Sequence, residues 1–190
     1  MTRPASALAG LAAVLALSSA CSDVGGTGDL EYVGGDGKVV EVAIDDRSDP
    51  VEISGTTVQG DALDLADLRG KAVVVNVWWS GCGPCRTEMP MLVDAEKELG
   101  KDEVAFVGIN IRDLAPENAA TFEKDRGVDY PSLYDPGSET LAGLGKYAPP
   151  SMPATIVLDT EGRVAALMNG PVPSKSTLVT LVEDVLAEKG

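Results

Sequence analysis

The 190-residue chain has no histidine, half as many basic as acidic side chains, and only three cysteines. Each shortage removes a class of chemistry. Without histidine there is no Ser-His-Asp or Cys-His nucleophile system and no imidazole metal ligand. Three thiolates cannot complete a four-cysteine zinc site, and a catalytic zinc normally takes at least one histidine. Fifteen Lys+Arg against thirty Asp+Glu give a formal net charge of -15, the opposite of a nucleic-acid footprint, so no nucleic-acid partner is expected. The apolar run at the N-terminus, Ala7 to Leu17, is too short to span a bilayer. What is present is a 44% hydrophobic share, enough for a core, in a length that suits one domain plus short extras.

The first cysteine closes the N-terminal segment MTRPASALAGLAAVLALSSAC. Arg3 is the basic side chain of a signal-peptide n-region, Ala7 to Leu17 its apolar stretch, and Ser18, Ser19 and Ala20 the small residues before cleavage. The arrangement resembles the lipobox of bacterial lipoproteins, which implies lipidation of Cys21. It departs from that pattern in having Ser18 where an aliphatic residue is usual. An ordinary secretory signal would instead leave a free thiol at the new terminus, a hazard in an oxidising compartment. Loss of Arg3 takes the net charge from -15 to -16. Residues 1–20 therefore read as a signal peptide and 21–38 as a lipidated tether. Ser22 to Lys38, rich in Gly, Asp and Ser, would reach on the order of 20–25 Å.

Residues 39–190 read as one folded domain. Val39 to Ile44 is an edge-strand candidate, and Val51 to Gln59 with Ala62 to Leu65 a small hairpin turned at Gly60-Asp61. Ala72 to Trp79 (AVVVNVWW) is nearly continuous and β-branched, the mark of a strand buried on both faces. A helix follows Gly83-Pro84, with Met89, Leu92, Val93 and Leu99 at helical spacing and Gly100 as its cap. Val104 to Ile111 is a second buried strand and Pro116 to Asp125 a helix. Tyr130 to Tyr134 is a short strand and Thr140 to Tyr147 a short helix. Ala154 to Leu158 and Val164 to Met168 form a hairpin, and a last helix starts near Ser174. The alternation predicts an α/β sandwich with a mixed sheet.

The other two cysteines lie in Trp78-Trp79-Ser80-Gly81-Cys82-Gly83-Pro84-Cys85, where a buried strand gives way to a helix. A helix N-terminus offers free N–H groups and the positive end of its dipole, which favour a thiolate at Cys82. Pro84 suits the first turn, where its missing N–H costs nothing. Cys85, one turn in, is close enough to attack a mixed disulfide held on Cys82. A zinc half-site lacks its other ligands. A purely structural bridge across two residues closes too short a loop to stabilise much. Redox activity is the reading that uses both residues, and nothing in the motifs calls for a metal or cofactor.

The stretch LDLADLRGKAVVVNVWWSGCGPCRTEMPML, with VAFVGINIRD, YPSLYDP and MPATIVLD, resembles the TlpA/ResA family over residues 51 to 188. These are membrane-tethered, extracytoplasmic thiol-disulfide oxidoreductases. The resemblance implies a thioredoxin-like sandwich with a TlpA-type N-terminal hairpin and a central insertion around residues 114 to 139. It is nearest the ResA-like (CcsX-like) members of high-GC Gram-positive bacteria, which reduce the heme-binding cysteines of apocytochrome c outside the membrane. It implies Cys82 as the attacking cysteine, Cys85 as the resolving one, Glu88 as an active-site carboxylate, and Pro153 as the cis-proline facing them. It further implies a CcdA-like membrane thiol transporter as electron donor and a place on the outer face of the cytoplasmic membrane. The net negative charge would speed encounter with basic apocytochromes.

Departures from the family set further expectations. Asn76 replaces the buried aspartate of thioredoxin itself, leaving Glu88 as the proton-handling group. Gly81 replaces the tryptophan usual before the first cysteine and should leave Cys82 open on one side. Trp78 suits core packing, Trp79 a surface contact, and Arg86 a plain helix-surface charge. Asn110, Arg112 and Asp113 end a strand without an assigned role. The alternative is the same chemistry run as a disulfide oxidase, although oxidases of this superfamily usually place a histidine between the cysteines. A peroxidase lacks its Pro-x-x-x-Thr-x-x-Cys pattern here. A Sco-like copper-delivery module lacks its Cys-x-x-x-Cys and distant histidine.

Overall fold

The computed structural model describes residues 39–188. The predicted signal peptide and tether, with Cys21, lie outside the described residues. At the centre is β4 (Ala72–Trp78), buried at all seven positions. Its alternation sends Ala72, Val74 and Trp78 into one apolar cluster and Val73, Val75 and Val77 into another, as the two-residue strand period requires. Asn76 therefore shares the face of Val74 and Trp78. β5 (Val104–Asn110) pairs with β4 in parallel, and β6 (Ser132–Tyr134) with β5 in parallel. β7 (Ala154–Leu158) runs antiparallel to β4, β8 (Val164–Asn169) antiparallel to β7, and β1 (Val39–Glu41) antiparallel to β8. The six-stranded mixed sheet has the order β1-β8-β7-β4-β5-β6.

α1 (Gly83–Leu99), α2 (Pro116–Arg126) and α3 (Lys175–Ala187) cover one face, contributing Cys85, Met89, Leu92, Phe122, Leu178 and Val182 to its cluster. The opposite face is covered by Val51, Ile53 and two 3-10 helices, Leu65–Leu68 and Thr140–Tyr147. Each aliphatic side chain so buried contributes about 1.5–3 kcal/mol. Among the described residues no helix is long and apolar enough to cross a membrane.

The elements follow the sequence reading closely. The hairpin is shorter than expected: β2 (Ser54–Thr56) and β3 (Ala62–Asp64) form a separate two-stranded sheet. Its flanks leave the ladder because Val51 and Ile53 turn into the core, where the Val51 N–H donates to the Gly162 carbonyl at 2.9 Å. α1 runs straight through Pro90, which is exposed, so the Arg86 carbonyl left without its helical donor is on the solvent side. Gly108 is required by close approach. A Cβ there would lie 2.1 Å from Ser132 Oγ and 2.7 Å from Trp78 Nε1, two atoms joined by a 3.3 Å hydrogen bond.

Candidate active site

The redox pair sits where β4 ends and α1 begins. Cys82 is the N-cap of α1, and its sulfur accepts the Cys85 N–H at 3.2 Å. Pro84 occupies the first turn, as the missing N–H allows. The two cysteines are disulfide-bonded with Cα atoms 5.3 Å apart. Cys85 is fully buried and Cys82 is 7% exposed. Attack by an outside thiol therefore falls on Cys82 alone.

This burial corrects one expectation. Gly81 does not leave Cys82 open, and the Trp79 ring fills the space beside Gly81. A Cβ on Gly81 would lie 2.7 Å from two ring carbons of Trp79. The half-buried Trp79 thus sets an aromatic ring against Gly81 from two residues upstream. Trp78 is fully buried, its ring centroid 5.1 Å from that of Phe122. Arg86 is more than a surface charge: it donates to the Ser80 carbonyl at 3.0 Å and lies 5.3 Å over the Phe122 ring.

Glu88 lies three residues after Cys85, on the same face of α1, and is 5% exposed. Its Oε1 accepts from Asn76 Nδ2 at 3.2 Å, and its Oε2 accepts the Val172 N–H at 3.0 Å. Asn76 Nδ2 also reaches Thr155 Oγ1 at 3.2 Å, which ties the carboxyl to β7. Among the described residues no cation takes part in this network. Burial pushes the Glu88 carboxyl up to about 7, and the Val172 and Asn76 donors offset only part of that rise. The group is thus poised to take or give a proton near neutrality. Pro153 is buried at the start of β7, at the same end of the sheet; its peptide bond with Met152 is cis, and its carbonyl accepts the Gly170 N–H at 2.9 Å. The structure thus gathers Cys82, Cys85, Glu88 and Pro153 at one end of the sheet.

One partner was not foreseen, and one residue singled out without a role acquires one. The Val172 N–H has no side-chain signature, since any non-proline residue could supply it. Asp113 carried a signal, a charge three residues beyond an apolar strand. It is 3% exposed and accepts the Ser80 N–H at 2.9 Å, the Ser80 hydroxyl at 2.5 Å and Asn110 Nδ2 at 2.8 Å. It clamps the loop that leads into Cys82.

A nearly buried disulfide at a helix N-terminus, backed by a protonatable carboxyl, defines a thioredoxin-fold thiol-disulfide oxidoreductase. Comparison with known proteins agrees. The fold matches a DsbF homologue from Corynebacterium diphtheriae, 36% identical, with a TM-score of 0.73 over 80% of this chain and 96% of that one. It also matches a secreted thiol-disulfide isomerase from Corynebacterium glutamicum, 31% identical, with a TM-score of 0.74 over 85% and 99%. In sequence the chain is 28% identical to thiol-disulfide oxidoreductase ResA of Bacillus subtilis over 130 residues, 67% of this chain and 69% of that protein. It is 36% identical to thiol:disulfide interchange protein HelX of Rhodobacter capsulatus over 126 residues, 65% of this chain and 62% of that protein. The Redoxin profile matches residues 36–184, and the chain belongs to the Redoxin family. Within it, this is an extracytoplasmic oxidoreductase related to the ResA type.

Proposed function

We propose that this protein is a lipid-anchored reductase of protein disulfides acting in cytochrome c maturation, of the TlpA/ResA (CcsX-like) subtype. In this reading the Cys82 thiolate attacks a substrate disulfide, such as that between the heme-site cysteines of apocytochrome c. The substrate S–S bond breaks, and the departing sulfur takes a proton. Cys85 then attacks the Cys82 sulfur, releasing the second substrate thiol and leaving the Cys82–Cys85 disulfide. Two electrons and two protons pass to the substrate. A CcdA-like membrane thiol transporter returns two electrons from the cytoplasm to restore the dithiol. Cys21 carries the lipid, residues 21–38 form the tether, and 39–190 form the catalytic domain, with β2–β3 as the TlpA-type hairpin.

Glu88 is the group that handles the proton of Cys85 in this scheme. The observation that carries the reading is its cation-free burial in a bonded network beside the dithiol. Asn76 suits the role because its Oδ1 has no partner. Turned over, the amide would present that acceptor to a protonated Glu88. In this reading the cis bend at Pro153 gives a substrate strand a place to lie, with the preceding Met152 backbone, and not Pro153 itself, supplying the main-chain hydrogen bonds.

A second reading is a disulfide oxidase or isomerase for secreted proteins, favoured by the likeness to the corynebacterial isomerase. One experiment separates the two. Cys85→Ser should arrest the exchange at the mixed disulfide on Cys82. Apocytochrome c in the trapped adduct supports the reductase. A spread of unrelated secreted proteins supports the oxidase, and an absence of adducts with either sinks both.

A further inference from the structure

Three consecutive residues after β5 have unusual properties that the redox chemistry does not use. Arg112 has φ 65, the left-handed region a side chain rarely adopts. Asp113 is a buried carboxylate that receives three neutral donors, two of them from Ser80. Its carbonyl also accepts the Tyr134 hydroxyl at 3.0 Å. Leu114 is 94% exposed. Backbone held in a sparsely populated region persists only where its surroundings over-determine it, and such residues cluster at working sites. Here the turn at Arg112 sends the Asp113 carboxylate inward to the loop before Cys82, and Leu114 outward.

Ordinary bond lengths put the Leu114 backbone within about 10 Å of the Ser80 nitrogen. Ser80 is two residues before Cys82. A polypeptide disulfide attacked by Cys82 whose chain continues from the β7 side across the end of β4 toward β5 brings its flanking residues over this loop. At roughly 3.3 Å per residue, a side chain three to five positions from the reactive cysteine reaches Leu114. A groove of about 440 Å³, lined by Ser80, Arg86, Asn118, Phe122 and Arg126 among others, opens from the same loop and gives such a chain a path along α2. The other exposed large apolar side chain among the described residues, Ile44 at 47%, lies past the opposite end of β1. An isolated glutathione-sized disulfide need not extend as far as Leu114.

We propose that Leu114, held out beside the redox disulfide by the Arg112–Asp113 turn, is a docking contact that selects polypeptide disulfides with an apolar side chain near the reactive cysteine. The inference rests on the thiol-disulfide exchange assigned above, and not on the direction of electron flow. The full-length protein is assayed with insulin and with oxidised glutathione, dithiothreitol being the reductant. For each variant the ratio of kcat/KM on insulin to kcat/KM on glutathione is measured. Leu114→Ser should lower that ratio roughly fivefold, through the KM for insulin, while Leu114→Met keeps it. The substitution is at a fully exposed site, so folding is not at risk. An unchanged ratio in Leu114→Ser overturns the docking role. A wild-type protein that exchanges with neither disulfide overturns the redox reading itself, and the docking role with it.

Discussion

The two ends of β7 each bury a carboxylate, and the two are treated in opposite ways. At the start of the strand, beside Pro153, Glu88 is 5% exposed and bonded only to an amide and a backbone N–H. At its end Asp159 is 4% exposed and bonded to two guanidinium groups, Arg47 at 2.9 Å and Arg163 at 2.8 Å. Burial raises both carboxyls. At Glu88 it prevails, and the group titrates at about 7. At Asp159 the Arg163 N–H and the two guanidinium groups outweigh it, and the group falls below its usual 3.8. Similar exposure thus yields a proton carrier at one end and a permanent charge at the other. Asp159 accepts two backbone N–H groups and two guanidinium groups where Glu88 accepts one backbone N–H and one amide, and those added donors, two of them cationic, decide which.

The largest expected effect lies at the structural end. Arg47 is 3% exposed in its side chain and joins the Val42 carbonyl, Asp159 and Glu188. Arg47→Ala strands Asp159 with one cation and should cost about 3–4 kcal/mol in urea unfolding of the disulfide-bonded protein. Its reduction potential should stay at the wild-type value. A shift in potential would mean that the two ends are coupled.

Next comes the pH dependence at the Glu88 end. A carboxyl whose folded pKa lies above its unfolded value binds its proton more tightly when folded. Its contribution is complete below the usual 4.5 and is lost as the pH rises through about 7. The oxidised protein should therefore lose about 2–3 kcal/mol between pH 4.5 and 8 from this group. Glu88→Gln should flatten that limb and remove the ionisation near pH 7 from the pH–rate profile. An unchanged slope in Glu88→Gln would place the titrating group elsewhere.

The smallest effect returns to Asp159. Its depressed pKa supplies stability above 3.8 that is lost as the pH falls through the folded value. Arg163 is 23% exposed in its side chain. Arg163→Ala should cost about 1 kcal/mol at neutral pH and make the acid limb shallower. If it instead costs as much as Arg47→Ala, the two guanidinium groups share the charge equally.

The strands and helices were legible because β4 carries a long β-branched run, β5 a nearly continuous apolar one, and α1 a clear apolar spacing. The cysteines were legible because CGPC falls where such a strand meets such a helix. Glu88 was recognised by resemblance, and the donors that surround it come from residues 12 and 84 positions away in the chain. Long-range partners of that kind leave no local pattern. The cover over Cys82 was misread for the same reason. Whether Gly81 is open depends on where the Trp79 ring turns, and spacing does not encode a rotamer. Asp113 and the Asp159 cluster share this property: each acid is visible, and its partners are not.

The register of the edge strand carries a last consequence. Val39 pairs with Met168, and Asn169 pairs with Ala154, which in turn faces Val77. Val39 therefore stands at the same end of the sheet as the disulfide, three strands over, roughly 14 Å away. A chain entering there approaches from the reactive pole. If residues 21–38 are the tether proposed above, it would join the domain beside its redox pole and not at the far end of the sheet.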